Sequence, residues 1–358
     1  LSTPITYFVF EGEENSVKNK NICKLLQIQE EQIYSVPTRH LYRIRSMIRH
    51  PIKTEKTIHK MRKCDVFIDL TEGDSFSDIY GQYRFNGGTN VKLLIEKMGI
   101  PLILGPQTYG PFNKECNKKK AKKVIESATC VMARDQMSAE YVANFSEKKI
   151  YVTTDLAFSL PFHKAAIGSD GKIKVGLNAS SLLVKNKTES TETKFKLKTN
   201  YDQYLRELLQ LLTANKKYEI YIIPHVERDA GDELKKEFPN LHYLEPFDNP
   251  ISAKSFISQM DIFIGARMHA TIGAFSAGVA TIPTAYSRKF KGLYESLGYK
   301  YVVDLAELNT HEAVELTVEY VKRYKELKLD VERCSINAEQ RTALTYRILY
   351  EQLKEILA

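Results

Sequence analysis

The chain has 358 residues, of which 43% are hydrophobic and 27% charged, a composition typical of a globular protein long enough for two domains. No apolar run approaches the roughly eighteen residues that a membrane-spanning helix needs, so we expect no transmembrane segment. The net charge of +8 suits an anionic substrate, an anionic membrane surface or nucleic acid, and it is equally compatible with a solvated basic surface.

The cysteines and the N-terminus indicate a cytoplasmic protein. Five cysteines, at positions 23, 64, 116, 130 and 334, show neither a C-x-x-C pair nor other short ligand spacing. We therefore expect free thiols in a reducing compartment and no structural zinc site. The chain begins at Leu1 without a basic-then-apolar leader, and the lack of an initial methionine leaves open whether N-terminal residues are missing.

The first half of the chain alternates predicted strands and helices. Strands are predicted at residues 5–10, 32–36, 65–70, 101–104, 129–133 and 150–152, and helices at 16–27, 90–97, 113–127 and 136–145. Residues 39–50 form a basic stretch with apolar residues at helical spacing. A solvated helix face explains this stretch better than contact with acidic lipid or with acceptor phosphate.

A second series of predicted elements follows a linker at residues 163–172. Strands are predicted at 174–177, 219–223, 242–244, 261–264, 280–285 and 301–304, and helices at 201–215, 230–238, 252–260, 269–277, 290–297, 311–327 and 336–357. The polar stretch 180–200 is predicted to be a mobile flap. The alternation predicts parallel sheets, and two such series predict an α/β protein with two Rossmann-like domains facing a cleft.

Residues 261–289 read as strand, loop, helix and strand, and they carry the most informative polar pair. Arg267 and His269 fall between the carboxyl end of the first strand and the first turn of the helix, in otherwise apolar surroundings. Ligands of open α/β sheets bind at such junctions, where a helix N-terminus favours an anion. The alternative is a surface arginine beside a histidine that caps a helix.

Polar residues also follow the other predicted strands, and facing domains would bring them to one cleft. They are Asp74, Ser75, Asp78, Gln107, Tyr109, Arg134 and Asp155 in the first half, and Asn178, His225, Arg267, His269, Arg288 and Lys289 in the second. Two arginines from different domains would suit a small, multiply charged anion. For each carboxylate, capping a helix or bonding between domains is an equally good explanation.

Several short motifs occur in an order that resembles the polysaccharide pyruvyl transferase family. They are Gly73-Asp-Ser-Phe-Ser-Asp, Gly105-Pro-Gln-Thr-Tyr-Gly-Pro-Phe, Ala133-Arg-Asp, Thr154-Asp-Leu-Ala-Phe, Val175-Gly-Leu-Asn, Pro224-His-Val and Gly265-Ala-Arg-Met-His-Ala with Tyr286-Ser-Arg-Lys. The resemblance implies a GT-B-like layout with an acceptor-side domain at 1–162, a donor-side domain at 173–330 and a helix at 331–358 that packs back on the first domain. The chain departs from the family at residues 11–15, where Glu-Gly-Glu-Glu-Asn replaces the usual Gly-Asn-x-Gly-Asp loop.

The resemblance implies transfer of the enolpyruvyl group of phosphoenolpyruvate onto two sugar hydroxyls, as a cyclic ketal, with release of phosphate. The sugar would belong to a polysaccharide or its lipid-linked precursor, which suggests the inner face of the membrane and a peripheral membrane contact. The implied roles are catalysis by His269, Arg267, Asp155 and His225, donor binding by Arg134, Arg267, His269, Arg288 and Lys289, and acceptor binding by Asp74, Ser75, Asp78, Gln107, Tyr109 and Asn178. Phosphoenolpyruvate would be a substrate, and we expect neither a cofactor nor a metal, because no cluster of metal ligands is spaced for one.

Two other function classes remain open at this point. A GT-B glycosyltransferase would use the same cleft for a nucleotide-sugar, although the second half shows no evident base pocket or acidic ribose contact. A non-catalytic sugar- or RNA-binding protein is the third class, and against nucleic acid the chain has dispersed lysines and no RNA-binding motif. Binding of phosphoenolpyruvate compared with nucleotide-sugars would separate the three. The acceptor sugar and the oligomeric state are not determined by the sequence.

Overall fold

The computed structural model describes residues 4–10, 17–36, 48–49, 51–70, 76–79, 81–164, 171–184, 197–226, 229 and 231–358. The chain divides into two compact units, Leu1–Thr153 with Thr345–Ala358, and Thr154–Leu344. The sequence places the corresponding boundaries at 163–172, of which 165–170 lie outside the described residues, and near residue 331. That domain assignment stays a prediction.

The first unit contains two parallel sheets, one of two strands and one of four in the order β3-β4-β5-β6. Its strands are β1 (Tyr7–Phe10), β2 (Ile33–Val36), β3 (Phe67–Asp69), β4 (Leu102–Gln107), β5 (Cys130–Ala133) and β6 (Tyr151–Val152). Its helices are α1 (Val17–Leu26), α2 (Pro51–Met61), α3 (Gln82–Lys97), α4 (Glu115–Ser127) and α5 (Gln136–Ala143). Every residue of β4 and β5 is buried, as expected for inner strands of a parallel sheet that helices cover on both faces.

The second unit is built on a six-stranded parallel sheet in the order β12-β11-β10-β7-β8-β9. Its strands are β7 (Ile173–Asn178), β8 (Tyr218–Ile222), β9 (His242–Tyr243), β10 (Ile262–Gly265), β11 (Ala280–Ala285) and β12 (Val303–Asp304). Its helices are α6 (Tyr201–Thr213), α7 (Asp232–Glu237), α8 (Pro250–Ile257), α9 (Met268–Ser276), α10 (Arg288–Ser296) and α11 (Thr310–Lys322). The last helix, α12 (Tyr324–Ile356), begins in this unit and ends in the first.

The spacing of apolar residues in helix α6 determines which face of the helix packs on the core of the second unit. Tyr201, Tyr204, Leu205, Leu208 and Leu212 recur at helical spacing and are all buried, which places one apolar face of the helix on the core. Burial of each large apolar side chain contributes about 1.5–3 kcal/mol to stability. The Asn200 side chain caps the helix by accepting a hydrogen bond from the Gln203 N–H at 3.1 Å.

The strand order of the second unit determines where its functional edge lies. The chain builds β7, β8 and β9 outwards in one direction, then returns to place β10 on the other side of β7 and continues to β11 and β12. In the pairing of β10 with β7, Gly265 at the end of β10 lies opposite Asn178 at the end of β7. The order therefore reverses between β7 and β10, and the crevice beyond their carboxyl ends is the expected ligand site of such a sheet.

Most predicted elements agree with the structure to within a few residues, and the largest differences are in helices. Helix α3 begins at Gln82, not near Asn90, because Phe85, Thr89 and other buried residues continue its packed face through Gly87 and Gly88. Helix α2 was not predicted, and α12 begins at Tyr324 instead of near residue 336. Among the described helices, none has the length and apolarity needed to cross a membrane.

Candidate functional site

The loop between β10 and α9 holds Arg267 and His269 at the switch point, in the strand-loop-helix arrangement predicted from the sequence. Arg267 occupies the position before the first helical residue and provides no side-chain cap to α9. By contrast, asparagine side chains cap α6, α8 and α11 of the same unit. The first N–H groups of α9 are therefore not used by the usual capping side chain, which leaves the positive end of the helix dipole available to an anion.

Asp229 is the centre of the site, although no sequence pattern marks it. Arg267 donates to its Oδ1 from Nε at 3.1 Å and from Nη2 at 2.7 Å. The same carboxylate accepts hydrogen bonds from the Ser181 N–H at 3.2 Å and the His225 N–H at 2.9 Å, and from Asn178 Nδ2 at 3.2 Å. The Asp229 side chain is 2% exposed. This acceptor-only group thus ties together three segments that follow β7, β8 and β10.

The electrostatics of Asp229 keep the pair ionised. Burial alone would raise the pKa of this carboxyl group, but the hydrogen bonds and positive charge of Arg267 outweigh burial and lower the pKa below its ordinary value. The N–H groups of His225 and Ser181 act in the same direction. The site therefore contains a buried carboxylate and a guanidinium at neutral pH, each compensating the charge of the other.

Asp229 also determines which part of Arg267 can meet a ligand. The Nε and Nη2 atoms are engaged by Asp229, and Nη2 also donates to Ser181 Oγ at 3.2 Å. Within the described ranges, no residue accepts a hydrogen bond from Nη1 of Arg267, and the side chain is 20% exposed. The guanidinium is thus held along one edge and can offer Nη1 to an anion.

The Asn178 side chain hydrogen-bonds to both Arg267 and Asp229. Its Nδ2 donates to the Ile223 carbonyl at 2.9 Å as well as to Asp229, and its Oδ1 accepts from the Arg267 N–H at 3.2 Å. The residue is 1% exposed. Its amide therefore connects the ends of β7, β8 and β10. The contact with an acceptor predicted for Asn178 stays a prediction.

Two histidines flank the Arg267–Asp229 pair. The ring centroids of His225 and His269 are 6.4 Å apart, and the His269 side chain is 55% exposed. Nε2 of His269 lies 3.9 Å from Oδ2 of Asp155, a separation that permits electrostatic attraction but is too long for a direct hydrogen bond. Burial, followed by the nearby charge of His269, lowers the pKa of His225 to about 4. His225 is therefore neutral near pH 7, whereas His269 is exposed and lies beside a carboxylate.

The segment that carries Asp155 is fixed to the second unit at several points. Asp155 Oδ1 accepts from the Ala157 N–H at 2.9 Å and caps a short 3₁₀ turn, Leu156–Ser159. The turn packs against α9 through Phe158 and Phe275, whose ring centroids are 6.0 Å apart. Lys254 of α8 donates to the Leu160 carbonyl at 2.7 Å, and burial lowers the pKa of this lysine to about 8. These contacts hold Asp155 near His269.

Arg288 and Lys289 lie in the first turn of α10, after β11, the strand next to β10. Both residues are partly buried, and the Lys289 ammonium is 5.2 Å from the centroid of the Tyr286 ring. Ser287, which precedes the helix, provides no side-chain cap. A second positive helix terminus therefore begins at the same edge of the sheet, one strand away from α9.

The predicted site residues of the first unit lie at the carboxyl edge of its four-stranded sheet or in the loop after it. Gln107 ends β4, and the Tyr109 hydroxyl donates to the Met132 carbonyl at 3.2 Å from a fully buried position. Arg134 follows β5, is 1% exposed and donates its N–H to the Gln107 carbonyl at 3.2 Å. Asp78 accepts hydrogen bonds from the backbone at the start of α4. Asp74 and Ser75 lie outside the described residues, and the ligand contacts predicted for this group stay predictions.

A buried ion pair at the same edge was missed by the sequence analysis. Lys92 of α3 lies 3.1 Å from Asp69 at the end of β3, with side chains 4% and 15% exposed. Gln107 Nε2 donates to the same carboxylate at 3.3 Å. The sequence does contain a signal for this pair: Lys92 falls on the same helical face as the buried residues Phe85 and Thr89. A buried ammonium requires a partner of opposite charge, so an ion pair could have been expected there.

Metal ligands do not cluster in the described part of the chain: no group of three or more His, Cys, Asp and Glu side chains there could hold an ion. Positive charge at the candidate site is instead supplied by Arg267 and by the helix termini. The arrangement can hold a small anion beside an exposed histidine, with a second, neutral histidine nearby.

Comparison with solved structures identifies the fold. UDP-GlcNAc 2-epimerase from Neisseria meningitidis bound to UDP-GlcNAc is similar with a TM-score of 0.58 and 13% identity, over 94% of this chain and 90% of that one. HepE of Anabaena in complex with UDP gives a TM-score of 0.59 and 11% identity, over 98% and 100% of the two chains. UDP-GlcNAc 2-epimerase from Methanocaldococcus jannaschii gives 0.54 and 11%, over 85% and 82%. The α/β fold with parallel, Rossmann-like sheets is therefore of the GT-B type, and at these identities the likeness concerns the fold alone.

The family assignment comes from the sequence. A comparison with curated proteins returns no match. The model of the polysaccharide pyruvyl transferase family matches residues 15–288, well over half of the chain, and this range includes β7, β8, β10 and the loop that carries Arg267 and His269. The chain belongs to the polysaccharide pyruvyl transferase family.

Proposed function

We propose that the protein transfers the enolpyruvyl group of phosphoenolpyruvate to two hydroxyls of a sugar, in a polysaccharide or its lipid-linked precursor. The observation that carries the proposal is the junction of β10 and α9, where an arginine anchored on Asp229 and an exposed histidine meet an uncapped helix N-terminus. Phosphoenolpyruvate has a carboxylate and a phosphate, so a site of this charge suits it.

The overall reaction defines what the residues must do. Two C–O bonds form between the central carbon of the donor and the sugar oxygens, and the C–O bond to phosphate breaks. Of the two protons that leave the sugar hydroxyls, one balances the proton added to the methylene carbon, and the other leaves with phosphate. Catalysis therefore needs an acid at the methylene carbon, a base at a hydroxyl and positive charge near the donor.

Donor binding is assigned to Arg267, to the N-terminus of α9 and to Arg288 and Lys289 at the start of α10. In support, β10 and β11 are adjacent, so both helices begin at one edge of the second unit's sheet. Arg134 of the first unit is proposed as a further donor ligand on the basis of its Ala133-Arg-Asp motif. Because Asp229 occupies one edge of Arg267, the donor would accept hydrogen bonds from Nη1.

His269 is proposed as the acid and His225 as a base. His269 is exposed, and its Nε2 lies 3.9 Å from Oδ2 of Asp155, so the ring is accessible to a donor bound beside Arg267. His225, with its pKa lowered to about 4, is unprotonated at neutral pH and suits acceptance of a hydroxyl proton. Two titratable groups in contrasting environments suit paired acid and base roles.

A GT-B glycosyltransferase with a nucleotide-sugar donor is the second candidate. The observation in its favour is that the similar structures from Neisseria meningitidis and Anabaena contain UDP-GlcNAc and UDP. Titration calorimetry of the protein with phosphoenolpyruvate and with UDP-sugars separates the two. Binding of a UDP-sugar without binding of phosphoenolpyruvate would replace the main proposal with this one.

The decisive experiment follows the product. The protein is incubated with phosphoenolpyruvate and candidate oligosaccharides, and mass spectrometry seeks an acceptor that has gained one pyruvate ketal, together with released phosphate. The His269→Ala variant serves as the matched control. Release of phosphate without a modified sugar would contradict transfer.

The proposed location is the cytoplasm, at the inner face of the membrane if the acceptor is lipid-linked.

A further inference from the structure

Helix α4 of the first unit carries an unusual concentration of positive charge. Lys118, Lys119, Lys120, Lys122 and Lys123 fall within six consecutive residues, and Lys114 precedes the helix. Only two of these six form ion pairs with described carboxylates, Lys122 with Glu126 at 3.6 Å and Lys123 with Glu96 at 3.4 Å. The Lys122–Glu126 pair is about half exposed and contributes little to stability, and in the other pair the Lys123 side chain is more than half exposed. The charge of this helix is therefore not explained by ion pairing that stabilises the fold.

The positive surface extends beyond the helix. The Lys118 ammonium lies 5.5 Å from the ring centroid of Phe145, and Ser146 Oγ donates to Glu126 at 3.5 Å. Phe145 and Ser146 therefore adjoin α4, and Lys148 and Lys149 follow them within three residues along the chain. We call Lys114, Lys118, Lys119, Lys122, Lys148 and Lys149 the lysine face.

Exposed apolar side chains adjoin one end of the lysine face. The Asp78 carboxylate accepts from the N–H groups of Asn113 and Lys114, and Gln82 accepts from Lys114 Nζ at 3.2 Å, so the segments 78–79 and 81–83 lie close to the start of α4. In this segment Ile79 is 49% exposed and Tyr83 is 47% exposed. An aliphatic and an aromatic side chain beside flexible ammonium groups are suited to the boundary between water and lipid.

We propose that the lysine face, with Ile79 and Tyr83, is a docking surface for a bilayer that contains anionic phospholipid. Lysines act as point charges on long stems and suit a diffuse anionic surface. The exposed Ile79 side chain would make apolar contacts with lipid in a bilayer, whereas a nucleic-acid backbone offers it no such contacts. The basic stretch at 39–50 lies almost wholly outside the described residues.

The membrane contact goes beyond the proposed function and does not depend on it, whereas its consequence for a lipid-linked acceptor rests on that function. The loop before α4 continues from the carboxyl end of β4, so the N-terminal end of the helix lies at the sheet edge that holds Gln107. Docking through Lys114, Ile79 and Tyr83 would bring that edge close to the membrane surface. A lipid-linked sugar would then be presented to this edge.

The test is vesicle flotation with the full chain. Vesicles of phosphatidylcholine with phosphatidylserine are compared with vesicles of phosphatidylcholine alone. The K118Q/K119Q/K122Q variant should bind the anionic vesicles about 10- to 100-fold more weakly than the wild type. The matched control K322Q/K325Q/K328Q removes the same charge from exposed lysines of α11 and α12 and should bind like the wild type.

A second variant tests the apolar part of the surface. I79S/Y83S keeps all the lysines and should lose several-fold in binding, with a loss that persists when salt is raised, because apolar contacts are not screened. Unchanged thermal unfolding of each variant shows that the fold is intact. Equal binding to neutral and anionic vesicles, or equal losses in the two lysine variants, would overturn the proposal. Tighter, lysine-dependent binding to single-stranded RNA than to vesicles would identify nucleic acid as the partner instead.

Discussion

Replacement of Asp229 with asparagine tests whether this carboxylate holds the candidate site together. Its Oδ1 accepts from Arg267 and Ser181, and its Oδ2 accepts from the N–H groups of His225 and Val226 and from Asn178 Nδ2. An asparagine supplies only one oxygen. Whichever way its amide is turned, the NH₂ group faces donors and cannot satisfy them.

The size of the effect follows from these contacts. Removal of one partner of a buried ion pair costs about 3–5 kcal/mol, because the remaining charge is left uncompensated. We therefore expect Asp229→Asn to lower the free energy of unfolding of the second unit by roughly this amount. Arg267 would keep its charge but lose its anchor, so phosphoenolpyruvate should bind about 10- to 100-fold more weakly, by analogy with the loss of residues that orient metal ligands. Chemical denaturation and titration calorimetry measure the two effects.

A matched control separates loss of stability from loss of the site. Tyr204 and Thr317 share a buried hydrogen bond of 2.9 Å between α6 and α11 in the same unit. Thr317→Val leaves the Tyr204 hydroxyl unsatisfied and should cost about 1–3 kcal/mol of stability, with donor affinity unchanged. If Asp229→Asn unfolds like the wild type and binds the donor equally well, the anchoring role of Asp229 is wrong.

The contribution of the Asp229–Arg267 ion pair to the stability of the fold should depend on pH. The pKa of Asp229 is lower in the folded protein than in the unfolded chain, so its ionised form stabilises the fold at pH values above the ordinary carboxyl range. That contribution is lost as the pH falls through the lowered pKa. The difference in stability between wild type and Asp229→Asn should therefore be large at neutral pH and shrink in acid. A difference that stays constant with pH would contradict the ion-pair explanation.

Four further predictions concern the proposed chemistry. His269→Ala should keep most of its donor affinity while turnover falls by about 10²–10⁴-fold, and His269→Gln should not restore it; recovery with glutamine would indicate phosphate binding instead. Because the pKa of His225 is lowered to about 4, turnover that depends on its neutral form should fall only as the pH drops towards that value, as a pH–rate profile would show. Arg267→Ala and Arg134→Ala should each weaken donor binding by about 2–5 kcal/mol with poor rescue by lysine, and unchanged calorimetric affinities would refute both assignments. EDTA should leave turnover intact, and loss that one divalent ion restores would show a metal requirement.

The β10–α9 junction was predictable because its signals are local. The buried strand reads as a short apolar run, and the small residues after Arg267 fit a helix that packs on a sheet. The polar pair within these apolar flanks pointed to the site. The start of α3 was not predictable in the same way, because Gly87 and Gly88 lower helix propensity locally and only tertiary burial of their neighbours restores the helix.

Asp229 could not be identified from the sequence, because its partner is 38 positions away and it lies in a polar loop without a periodic pattern. A partly buried Arg267 requires a compensating charge, but any of the 44 acidic residues of the chain could supply it. Only the strand order shows which of these residues lies beside Arg267. Likewise, the lysine of the Asp69–Lys92 pair could be suspected from its buried helical position, but the identity of its carboxylate could not.

The strand order also explains why the site uses residues so far apart in the chain. Since β8, β7 and β10 are neighbours, the residues that follow them reach one edge of the sheet: His225 and Asp229 after β8, Asn178 at the end of β7, and Arg267 after β10. In this sheet, placing β10 beside β7 instead of beside β9 brings the arginine to its carboxylate. A chain that continued outward from β9 would separate these groups by several strand widths of about 4.8 Å each. The reversal of strand order is thus what converts scattered polar residues into a charged site.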